Sequence, residues 1–83
     1  MFERYEDIII NLNEIQSVKA SGNCVEVNFL GGNSVNIRTY KYDYIIDGPG
    51  RTTHAMYEEF EKHIIAWQKS VINDIYEKLK AKE

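Results

Sequence analysis

From about residue 53 to residue 82, apolar side chains recur every three or four positions, at Met56, Phe60, Ile64, Trp67, Val71 and Ile75. That spacing gathers them into one stripe on an α-helix. A second stripe, Tyr57, Ile65, Ile72, Tyr76 and Leu79, lies beside the first. No proline or glycine interrupts the run, so one long helix is predicted; a break near Ser70 or Asn73 into a helical hairpin is the alternative. Thr52 or Thr53 can cap its start. Glu58, Glu59 and Glu61 near that start, and Lys78, Lys80 and Lys82 near the end, suit the helix dipole. Glu58 with Lys62, and Asp74 with Lys78, are spaced for i,i+4 pairing.

Upstream the period changes to two. Ile8-Ile9-Ile10 with Leu12 predicts a strand over about residues 6–12, closed by turn chemistry at Asn13-Glu14. Residues 16–21 alternate, with Val18 and Ala20 on one face, and Gly22-Asn23 is a two-residue hairpin signal. A loop of that length sets Ser21 opposite Cys24, Ala20 opposite Val25 and Val18 opposite Val27, so apolar meets apolar. The next strands are predicted at about 24–30 and 34–42. A three-residue loop, Gly31-Gly32-Asn33, pairs Phe29 with Val35 and Val27 with Ile37, with Gly32 or Asn33 in the left-handed region. Continuing that last strand would put Tyr40, Tyr42 and Tyr44 on one side, until Gly48-Pro49-Gly50 ends it.

The expected fold is therefore α+β: a four-stranded antiparallel β-meander packed on one long C-terminal α-helix. With 83 residues the chain, 1–83, reads as a single domain. This outline is shared by many unrelated small domains, and no motif here singles one out.

Length then bears on assembly. Some thirty helical residues span ~45 Å, whereas strands of this length span only ~25 Å. One sheet face cannot cover both stripes, and uncovered apolar surface marks an interaction site. We expect Ile65, Ile72, Tyr76 and Leu79 to form a homo-oligomer interface. In the competing arrangement the N-terminal segment, with Met1, Phe2 and Tyr5, folds back over them.

Composition narrows the chemistry. The formal charge is −3 with acids and bases interleaved, which argues against nucleic-acid binding through a basic surface. No apolar run approaches the ~20 residues of a membrane span and no signal core is seen at the start, so a cytoplasmic location without membrane association is expected. Cys24 is the single cysteine, which fits a reducing compartment. His54 and His63 lack a metal-ligand spacing, and no metal or cofactor is expected. No nucleophile with its base, phosphate-binding loop or dinucleotide fingerprint is present, so the chain reads as a non-enzymatic binding protein.

Two candidate sites follow. Arg38, Tyr40 and Tyr42 on the outward side of the meander form an expected recognition surface for a protein partner that the chain would modulate or inhibit. The alternative is a small-anion or nucleotide site at the helix start, where Arg51, Thr52, Thr53 and Tyr44 would supply a guanidinium fork, hydroxyls and a stacking ring. An ordinary loop and N-cap explains the same residues.

Overall fold

A computed structural model describes residues 1–47, 50 and 52–81. The architecture is α+β, with two small antiparallel sheets and one long helix. Strands β1 (Phe2–Tyr5) and β2 (Ile8–Asn11) form a hairpin. Strands β3 (Ile15–Ser21), β4 (Cys24–Phe29) and β5 (Ser34–Ile37) form a three-stranded meander in that order. Helix α1 runs without a break from His54 to Ala81.

The first correction concerns the N-terminus. The predicted strand over 6–12 is the second arm of a hairpin whose first arm, β1, carries no alternation that marks it. The turn is Glu6-Asp7, with Glu6 at φ 56°. A non-glycine residue enters this region at some cost, and tertiary contacts hold it there. Arg4 Nε donates to the Glu6 carbonyl at 2.9 Å, and Trp67 Nε1 on the helix donates to Glu6 Oε1 at 3.1 Å.

The four-stranded meander is the second correction, because β2 does not pair with β3. Asn11 accepts a hydrogen bond from the Asn13 amide at 3.1 Å and starts a single 3-10 turn, Leu12–Glu14. Leu12 is buried by this turn, which swings the chain from the hairpin into the separate sheet.

Within the meander the β3–β4 register matches expectation: Ser21 faces Cys24, Ala20 faces Val25 and Val18 faces Val27. Gly22 opens that loop at φ 56°, as a two-residue hairpin requires of its first position. A bulge between Ile15 and Ser17 inserts Gln16. Ile15 and Val18 are an odd number of residues apart, so a regular strand would point them to opposite faces. The bulge turns both toward the core.

The β4–β5 register is displaced by two residues from the predicted one, with Val27 facing Val35 and Val25 facing Ile37. The loop still holds three residues, Leu30-Gly31-Gly32, closed by Phe29 N–H donating to the Asn33 carbonyl at 2.8 Å, and Gly32 takes φ 89°. Period-two alternation cannot distinguish registers that differ by two. The position of the left-handed glycine decides.

Strand β5 ends at Ile37 rather than near residue 42. The Thr39 hydroxyl accepts from the Lys41 amide at 3.2 Å, and a 3-10 turn follows at Asp43–Ile45. The tyrosine ladder on one strand edge therefore does not form.

Two apolar clusters sit under the helix. Val25, Val27 and Ile37 of the sheet meet Val71 and Ile75, with Tyr5, Ile10 and Leu12 from the N-terminal hairpin. Nearer the helix start, Ile45 packs on Phe60 and Ile64. The sheet covers one half of the helix and the 39–47 segment covers part of the other. Thr53 is the N-cap, its hydroxyl accepting from Met56 N–H at 3.2 Å. Asp74 pairs with Lys78 at 3.0 Å as expected, whereas Glu58 turns to His54 instead of Lys62.

Candidate functional site

The N-terminal hairpin does fold back on the helix, but onto the flank away from the second stripe. The Tyr5 hydroxyl donates to Asp74 Oδ2 at 2.6 Å, and Lys78 Nζ lies 3.1 Å from Glu3 and 3.0 Å from Asp74. Burial, followed by the bond to Asp74, pushes the Tyr5 phenol up to about 12. That same bond, followed by Lys78, holds the Asp74 carboxyl below its usual range. At 100° per residue, Trp67, Asp74 and Lys78 lie about 150° around the helix from Ile65, Ile72, Tyr76 and Leu79. The expected interface stripe is thus left uncovered by the segment that competed for it. Ile65 is 49% exposed and Tyr76 65%, while Ile72 and Leu79 are half-buried.

Beside this stripe runs β3, an edge strand with β4 on one side only. Between strand and helix lies a groove of about 360 Å³ lined by Ile15, Val18, Ile72, Ile75, Tyr76 and Leu79. The bulge contributes to it, because it brings Ile15 and Val18 to the same side. Charges flank the stripe: Glu61 and Lys62 toward the helix start, Lys69 in the middle and Lys80 toward its end. Among the described residues none of these four makes an ion pair, whereas Asp74 and Lys78 on the opposite flank are paired with each other.

The predicted recognition residues divide. Arg38 and Tyr40 come together, the guanidinium carbon 4.4 Å from the ring centroid, with Asp43 at 3.8 Å. They border an open concavity of about 430 Å³ shared with Arg4, Glu6, Asp7 and Lys41. Tyr40 is 61% exposed there. Tyr42 does not join them: it stacks on His63 of the helix, ring centroids 4.8 Å apart and planes within 11°, and so packs the 39–47 segment onto the helix. On the outward sheet face, Lys19 meets Glu26 at 3.3 Å, and Asn28 donates to Glu26 at 3.1 Å and to Ser17 at 3.2 Å. Asn28 first, then Lys19, lowers the proton affinity of Glu26.

At the helix start, Arg51 lies outside the described residues. The Thr52 hydroxyl donates to the Ile46 carbonyl at 2.7 Å, the Thr53 hydroxyl caps the helix, and Tyr44 stands exposed on the 3-10 turn. Among the described residues no group of three His, Cys, Asp or Glu side chains could hold a metal ion, and no helix is long and apolar enough to cross a membrane.

Gln68 is the structural residue that periodicity did not single out. It sits within the first stripe, 5% exposed, and its Nε2 donates to the carbonyls of Gly22 and Cys24 at 2.9 and 2.8 Å. A polar residue inside an apolar stripe is the signal that marks it.

Compared with known proteins, the chain matches no family model, no curated sequence and no solved structure at a significant level.

Proposed function

We propose that this protein acts by binding and not by catalysis. It assembles with a second copy of itself through Ile65, Ile72, Tyr76 and Leu79, and it modulates a protein partner engaged at Arg38 and Tyr40. The observation that carries self-association is the groove between β3 and the helix, continuous with exposed Ile65 and Tyr76 and approached by neither the N-terminal hairpin nor the 39–47 segment. A small domain gains stability by covering such a surface, and a second copy brings an identical stripe that needs the same cover. The Arg38–Tyr40 concavity supports the partner reading, since arginine and tyrosine are enriched where proteins meet.

Sedimentation of the purified protein tests the assembly. The parent is expected to run as more than a monomer, and Ile65→Lys with Ile72→Lys is expected to shift it to monomer with the circular dichroism of a folded chain. A parent that stays monomeric and folded at high concentration refutes it. The small-anion or nucleotide reading at Thr52, Thr53 and Tyr44 gains no support from hydroxyls already bonded to the backbone. Nucleotides that raised the melting temperature of the parent would restore it.

A further inference from the structure

The outward face of the N-terminal hairpin carries apolar side chains that the core does not use. Phe2 and Arg4 of β1 share that face with Ile9 of β2, which sits directly across from Arg4. Phe2 is 71% exposed and Ile9 67%, whereas Tyr5 and Ile10 on the other face are buried. Arg4 also lines the concavity of about 430 Å³ together with Arg38, Tyr40 and Lys41. The hairpin face and the Arg38–Tyr40 site are therefore one surface, joined at Arg4.

Three cations meet on it. Among the described residues Arg4 and Lys41 make no ion pair, and Arg38 has Asp43 at 3.8 Å. Two acids of the hairpin turn, Glu6 and Asp7, line the same concavity, and one Glu6 carboxylate oxygen is taken by Trp67 Nε1 at 3.1 Å. This mixed lining selects the form of an anionic partner. A continuous anionic surface, of lipid headgroups or a nucleic-acid backbone, would press on Glu6 and Asp7 as well as on the cations, in a chain whose formal charge is already −3. A short segment can set one carboxylate among the cations and leave the two acids to water. Arginine suits that carboxylate, because its planar fork can hold both oxygens.

We infer that the protein partner engages this surface with a short acidic segment, one carboxylate among Arg4, Arg38 and Lys41 and a large apolar side chain laid on Phe2 and Ile9. This rests on the partner reading of Arg38 and Tyr40, and adds the chemistry of the partner and the hairpin residues that read it.

The test uses random peptides displayed on phage, selected on the immobilised parent and re-measured singly by fluorescence polarisation. Selected sequences should carry Asp or Glu beside a large apolar residue and should bind more weakly as salt rises. Lys41→Glu and Ile9→Ser change exposed side chains, so circular dichroism should show both variants folded. Lys41→Glu should weaken binding roughly five- to tenfold, because an attraction becomes a repulsion. Ile9→Ser should weaken it by a similar factor through lost apolar contact. Sequences that need Arg38 and Tyr40 but show no acidic excess, or that are indifferent to either variant, overturn this inference and leave the partner reading standing. Retention of the parent on vesicles of phosphatidylcholine with phosphatidylserine, lost in Lys41→Glu, assigns the face to a lipid surface and also overturns it. A selection with no sequence that depends on Arg38 or Tyr40 overturns both readings.

Discussion

Replacing Gln68 with methionine removes two hydrogen bonds while nearly keeping the side chain's shape. In the parent, one amide nitrogen donates to the Gly22 and Cys24 carbonyls, at 2.9 and 2.8 Å, and so ties the β3–β4 turn to the middle of the helix. Each bond contributes about 1 kcal/mol net. The Gly22 carbonyl is on an exposed turn and regains water, whereas the carbonyl of half-buried Cys24 keeps only its ladder partner Ser21 and loses its second donor, at a further cost of about 1 kcal/mol. Burial of a more apolar side chain returns about 1 kcal/mol. The net loss is about 2 kcal/mol, a large share of the roughly 4–12 kcal/mol available to a domain of this size. Thermal melts followed by circular dichroism should show a fall of about 8–16 °C, at 4–8 °C per kcal/mol. The urea midpoint should drop by about 1–2 M with an unchanged slope. Amide exchange should rise first around Gly22–Cys24. A variant within about 0.5 kcal/mol of the parent would refute the reasoning, because it would mean that water satisfies these carbonyls without the side chain. Gln68→Glu controls for shape: at neutral pH it offers no donor, and it should be at least as destabilised.

Two further outcomes follow from the other side of the helix and from the core. Tyr5→Phe deletes the bond to Asp74, whose carboxylate is partly exposed, at a cost of about 1 kcal/mol at neutral pH. The Tyr5 phenol is raised to about 12 in the folded protein, against ~10 unfolded. Its stabilisation is therefore full below ~10 and is lost as pH rises toward 12. Urea titrations should show the gap between parent and Tyr5→Phe closing over that window, and a constant gap would refute the assignment. Asp74 works in the opposite sense: its carboxyl is held down, so its contribution is present above the usual carboxylate value and fades in acid. Ile75→Ala opens a cavity at a fully buried position where the helix meets both sheets. A loss of about 2–5 kcal/mol should leave a measurable unfolded population by circular dichroism at room temperature, and a melt within about 1 kcal/mol of the parent would place the core elsewhere.

The helix and the β3–β4 hairpin were legible from residue order, and the reason is local. Helical periodicity over residues 53–82 had no breaker to contradict it, and Gly22-Asn23 supplied both loop length and left-handed backbone. Misreadings arose where local signals tied or were silent. The β4–β5 displacement preserves every inward and outward assignment, so alternation was blind to it. The Glu6-Asp7 turn carries no glycine, and its left-handed residue is held by Arg4 and by Trp67, 61 residues away in sequence. Arg38 and Tyr40 lie together, while Tyr42 stands apart on His63, because the strand ends at Ile37 and Thr39 then makes a hydroxyl-to-amide contact that propensity does not register.

By itself the sequence determined that one long helix with two apolar stripes must be covered, and that hairpin strands would cover part of it; period and turn chemistry act over a few residues and are written in their order. Only the tertiary structure decided which stripe was covered, and by what. That choice depended on long-range partners: Tyr5 reaching Asp74, Glu6 reaching Trp67, and a bulge at Gln16 turning Ile15 and Val18 to one side. Those contacts drew the N-terminal hairpin to one flank of the helix and left the stripe from Ile65 to Leu79 open on the other.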